Sequence, residues 1–209
     1  MRKYFDCLLR SFATGICIAI GGIVYLSCPN KYIGAVLFGT GLFTVLTFGF
    51  DLFTGRVGYL VNNKPSYLTD LAVIWLGNLT GTAFTGVCIL NTRQGAAVSE
   101  KASALCDVKL ADSLPSLFIL AFFCGMLMFI AADGFKQIPF PVGKMLAVFL
   151  PVTVFILSGF EHCVANMFYF TAAGAWSLNA FGRLIVMTLG NSAGGILIPL
   201  LRKGLTRSK

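Results

Sequence analysis

Apolar residues fall in six runs, at 7–27, 33–61, 71–90, 114–132, 145–175 and 181–201, and most of the charge lies in the connections between them. A helix crosses a hydrocarbon core with about 20 residues, so four of the runs have the length of a single span. The second and fifth are longer than one ordinary span, and each is interrupted by glycine, phenylalanine and an acid. Gly49-Phe50-Asp51-Leu52-Phe53-Thr54-Gly55 interrupts the second, and Gly159-Phe160-Glu161-His162-Cys163-Val164-Ala165-Asn166 the fifth. The pattern predicts an all-α integral membrane protein with six transmembrane helices, of which the second and fifth are broken.

A second echo runs in register with the first. Leu76-Gly77-Asn78-Leu79-Thr80-Gly81 in the third run returns as Leu189-Gly190-Asn191-Ser192-Ala193-Gly194 in the sixth. Gly49 and Gly159 are 110 positions apart, Gly77 and Gly190 113. Residues 1–209 therefore read as one channel domain made of two repeats, about 7–90 and 114–201. Three crossings per repeat put the halves in opposite orientations. Inverted repeats of this kind place a pathway at their interface near mid-membrane, lined by discontinuous helices. Glycines four apart share a helix face and favour close helix packing. The amides of Asn78 and Asn191 need partners in lipid: they brace the neighbouring loops, or Asn191 faces the pore.

Composition supports the membrane assignment. The chain is 57% hydrophobic and only 11% charged, where soluble domains carry about 25% charged residues. The first run lacks a small-residue cleavage site and continues for a full span, so it is expected to stay as a helix. With the termini and the 2–3 and 4–5 connections on one side, that side holds Arg2, Lys3, Arg10, Lys64, Lys136, Lys144, Arg202, Lys203, Arg207 and Lys209. The other side holds Lys31, Arg93, Lys101, Lys109 and Arg183, with Arg56 inside the broken segment. The positive-inside bias puts both termini in the cytoplasm. This asymmetry and anionic membrane lipid account for much of the net charge of +8 without nucleic acid.

Of the seven cysteines, Cys7, Cys17, Cys88, Cys124 and Cys163 lie in apolar runs and read as small apolar residues. Whether Cys28 and Cys106 pair is left open by the sequence. One histidine among scattered cysteines does not supply a metal site, and no cofactor is implied.

Carboxylates at membrane depth are costly and mark pathways or sites. Irregular backbone survives there only when buried in protein or lining a cavity. Asp51 and Glu161 are expected to cap the restarting half-helices, accepting their free amide hydrogens; cation binding is the rival role. His162, on the break itself, can donate a hydrogen bond or exchange a proton. His162 and Cys163 do not read as a catalytic pair, because adjacent residues rarely align for proton transfer and no third orienting group is present. No catalytic residue is expected.

The stretch Ser158-Gly159-Phe160-Glu161-His162-Cys163-Val164-Ala165-Asn166-Met167-Phe168 resembles the signature of the formate/nitrite transporter family of bacterial anion channels. Asp51-Leu52-Phe53-Thr54 is similar to that family's first re-entrant loop, and Leu189-Gly190-Asn191 with Gly194-Gly195 to its final helix. The resemblance implies a homopentamer of aquaporin-like protomers in a bacterial inner membrane, each passing a small inorganic or organic anion of a weak acid. It implies Leu42, Leu52 and Thr54 at the cytoplasmic constriction and loop, Phe38 and Phe155 at the outer constriction, and His162 as the central proton-exchanging group. It also implies Asn191 as a pore-side donor and Lys109 as an anion-attracting vestibule residue. Formate channels carry asparagine where this chain has Gly125. That departure and the short loops favour hydrosulfide over formate or nitrite. A water or glycerol channel would usually show two Asn-Pro-Ala half-helix ends, which are absent from the chain.

Overall fold

The computed structural model describes residues 2–207, and the side chains of 2–205. Lys209 and the side chain of Arg207, both counted in the charge bias, lie outside the described residues. All regular structure among them is helical: α1 (Arg2–Ser27), α2 (Lys31–Thr47), a single turn α3 (Phe53–Arg56) running into a 3-10 segment (Val57–Asn62), and α4 (Tyr67–Leu90). There follow α5 (Gly95–Ala111), α6 (Leu114–Gln137), α7 (Pro141–Leu157), α8 (Cys163–Ala172) and α9 (Leu178–Arg207). Four helices, α1, α4, α6 and α9, are long and apolar enough to cross a membrane. The long apolar runs 33–61 and 145–175 are divided into α2 with α3, and α7 with α8.

Local chemistry sets these boundaries. Asn30 accepts the amide hydrogens of Tyr32 and Ile33 and starts α2; Ser113 accepts that of Ser116 and starts α6, with Pro115 in the first turn. The ends of α2 and α7 match bond for bond. Gly49 and Gly159 both take φ +67°, where a Cβ is disfavoured. Phe50 N–H donates to Val45 O and Phe160 N–H to Phe155 O, both at 2.9 Å, while each glycine N–H reaches the carbonyl three residues back. These are Schellman caps, and they stop the two helices at equivalent depths of the repeat.

The halves also pack alike. α1 lies along α4 as α6 lies along α9, α1 contacts α2 as α6 contacts α7, and α2 and α7 meet each other. Close approach at the two long contacts depends on missing side chains. A Cβ on Gly15 would strike the Asn78 carbonyl, and one on Gly125 the Asn191 carbonyl. Gly125 is thus a packing residue of the α6–α9 contact.

α5 is absent from the hydropathy pattern. It rests on Val98, Ala102 and Cys106, a buried stripe at four-residue spacing. Lys101 Nζ donates to Leu26 O at 2.6 Å, tying α5 to the end of α1. Arg183 Nη1 donates to the carbonyls of Lys109 and Asp112, capping the C-terminal end of α5 with a cation. Cys28 and Cys106 are both free thiols.

Candidate functional site

The two breaks are held by asparagine. Asn78 Oδ1 accepts Phe53 N–H at 2.9 Å, and its amide donates to Ser11 O and Asp51 O, both at 2.9 Å. Asn191 repeats the set: Oδ1 accepts Cys163 N–H at 2.8 Å, and the amide donates to Ala121 O at 2.7 Å and Glu161 O at 2.8 Å. Both side chains are fully buried. Asn191 uses both amide hydrogens and its oxygen on backbone groups, so it braces the second break rather than facing a pore.

The acids do something other than capping. Asp51 takes Arg10 Nε at 2.9 Å and Arg56 Nη2 at 2.6 Å. Leu52 occupies the N-cap of α3 with no side-chain bond. Glu161 Oε2 takes Lys109 Nζ at 2.6 Å and Asn166 Nδ2 at 2.7 Å. Each carboxylate takes a cation instead of the free backbone amides of the restarting helix, because a paired buried charge recovers part of its desolvation cost. Lys109, 13% exposed, spends its charge on Glu161 and does not stand free in a vestibule.

The cap of α8 is His162. Its Nδ1 accepts Ala165 N–H at 3.0 Å, while Nε2 lies 2.9 Å from Thr54 Oγ1. An Nδ1 that accepts carries no hydrogen, so neutral His162 holds its proton on Nε2 and donates it to Thr54. The Thr54 hydroxyl hydrogen is then left to donate elsewhere. Thr54 is fully buried and His162 3% exposed. The pair joins the two breaks across 108 positions of sequence.

Apolar side chains enclose this bond. The Phe155 ring stacks on His162, centroids 5.6 Å apart, and the Phe38 ring meets Phe155 edge-on at 5.7 Å. Leu42, one turn beyond Phe38 on α2, and Leu52, two residues before Thr54, are buried in the same core. On the face that carries the start of α1 and the end of α9, the termini face, a cavity of about 360 Å³ is lined by Leu52, Gly55, Arg56, Tyr59, Lys136 and Lys144, among others.

The formate/nitrite transporter model matches residues 1–202. The chain belongs to the formate/nitrite transporter family. Relatives include a formate channel of Haemophilus influenzae, 25% identical over 99% of this chain and 89% of its own length. A nitrite transporter of Salmonella typhimurium is 29% identical over 85% and 71%. A solved pentameric formate channel with formate bound superposes with a TM-score of 0.88 at 27% identity, covering 100% of this chain and 99% of that one. This family member is thus a multi-pass membrane protein of the channel and transporter kind, and its relatives are not enzymes.

Sequence reasoning singled out Thr54, His162, Phe38 and Phe155, which the fold brings together. It missed Arg10 and Arg56 as partners of Asp51, and Asn166 as a partner of Glu161. Arg10 carried a signal: it is a lone cation inside the first apolar run.

Proposed function

We propose that the protein is a passive channel for small monovalent weak-acid anions. In this reading α2 with α3, and α7 with α8, each complete one broken crossing, giving six crossings in two inverted repeats. Protomers assemble as a homopentamer with both termini in the cytoplasm. The observation that carries the reading is the Thr54–His162 hydrogen bond, buried between apolar side chains at the junction of the repeats.

The chemistry follows from the hydrogen placement. Phe38, Phe155, Leu42 and Leu52 exclude hydrated ions, since an ion cannot keep its water shell in an apolar constriction. A partly dehydrated anion meets the Thr54 hydroxyl, whose hydrogen is available because its oxygen accepts from His162 Nε2. Hydrogen bonds in series polarise one another, so the imidazole strengthens the threonine as a donor. Proton exchange at His162 is the further step. It requires Nδ1 to release Ala165 N–H, which couples protonation to loosening of the first turn of α8.

Formate and nitrite are supported as permeants by the names of the relatives. Hydrosulfide remains the second reading: it is small, soft and close to its neutral form near physiological pH. Gly125 no longer argues for hydrosulfide, because its environment is helix packing. Purified protein in liposomes, offered formate, nitrite, acetate and hydrosulfide in turn under an imposed gradient, tests the reading. Flux of at least one is expected, falling at least tenfold in Thr54→Val, an estimate of about 1.4 kcal/mol for a lost hydrogen bond. No flux of any weak acid would sink the claim.

A further inference from the structure

The cavity on the termini face differs in charge from the opposite end of the pathway. Arg56, Lys136 and Lys144 line it, and no carboxylate side chain is among its lining. Lys136 Nζ sits 5.3 Å from the centre of the Tyr59 ring, and Lys144 Nζ 5.3 Å from that of Phe135. Both aromatic rings line the same cavity. Among the described residues neither lysine has a carboxylate within ion-pair distance. Arg56 shares Asp51 with Arg10, so two guanidiniums face one acid and a positive charge is left over. At the other end Lys109 is matched one to one by Glu161, and Arg183 turns its guanidinium to the carbonyls of Lys109 and Asp112.

Resting on the channel reading above, we propose that this cavity is an anion-holding antechamber, and that Lys136 and Lys144 make the channel collect small monovalent oxyanions preferentially from the termini face. The aromatic rings hold the two ammonium groups without neutralising them, since a ring face attracts a cation but carries no net charge. Leu52 and Gly55, which flank Thr54 at two residues and one, form part of the wall. An anion held there therefore waits next to the constriction. A concave, apolar-walled space lined by one sign of charge raises the local concentration of the opposite ion. Monovalent oxyanions such as formate and nitrite fit the purpose: they are attracted by the surplus charge and held loosely enough to leave.

The experiment uses planar bilayers containing channels of one known orientation, with sodium formate added to one side at a time. Native protein is expected to show a lower half-saturating formate concentration from the termini face. In Lys136→Gln/Lys144→Gln that value should rise about threefold or more from this face alone, a modest share of the roughly 10–10³-fold that electrostatic focusing can supply. The asymmetry should vanish near 1 M inert salt, where the Debye length is about 3 Å. Lys136→Arg/Lys144→Arg should restore it, and conduction from the opposite face shows that each variant is folded. An equal change from both faces, or no change from either, overturns the antechamber. Native protein that carries neither formate, nitrite nor hydrosulfide removes the channel reading itself, a separate result.

Discussion

Replacing Asn191 with leucine separates bracing from pore lining. Leucine is close in size, so the main change is the loss of one acceptor and two donors inside the protein. Cys163 N–H, at the start of α8, loses the acceptor it has at 2.8 Å. A buried donor left unpaired costs about 1–3 kcal/mol. The donations to Ala121 O and Glu161 O add roughly 0.5–1.5 kcal/mol each. Ala121 O lies within α6 and keeps its helical partner, so its loss belongs at the lower end. Together these give a destabilisation of about 2–5 kcal/mol. Reversible unfolding in mixed detergent micelles, followed by circular dichroism, measures it. Asn78→Leu is expected to lose a similar amount, because its three bonds are equivalent. Unchanged stability of Asn191→Leu, combined with altered anion selectivity, would refute the bracing argument and return the amide to the pore.

Three other outcomes are expected. Gly125→Ala should destabilise the fold by about 1–3 kcal/mol as α6 and α9 are forced apart, readable in the same unfolding experiment; a neutral result would mean the helices part freely. Lys109→Met should leave Glu161 with Asn166 but no cation, at a cost of about 3–5 kcal/mol for a buried charge pair broken on one side, whereas Lys3→Met, at a solvent-exposed pair, should leave the unfolding transition nearly where it was. His162→Phe should alter the pH dependence of formate flux, and an identical profile would leave the imidazole as a helix cap alone.

Much of this architecture was legible in the sequence because apolar length and glycine punctuation are local signals. Gly49 and Gly159 announced the two stops, and the caps they form depend on their own backbone. Asn78 and Asn191 were visible as a matched pair, though not which carbonyls they reach. α5 was not legible, because a polar helix outside the apolar runs leaves only the sparse stripe Val98, Ala102 and Cys106. The partners of Asp51 and Glu161 were misread for a different reason. Capping is the local option for an acid at a helix start. Arg10 and Lys109 prevail because packing carries them from 41 and 52 positions away. His162 took the capping role instead, and that choice fixes its tautomer.

The matched asparagine braces have an implication for how such a protein can change. Each loop is pinned from behind, through backbone carbonyls and one amide hydrogen, by a residue of a different helix. None of those bonds uses a loop side chain. The side chains at 52, 54 and 163 can therefore be replaced while these bonds stay as they were, whereas His162 also caps α8 through Ala165 N–H.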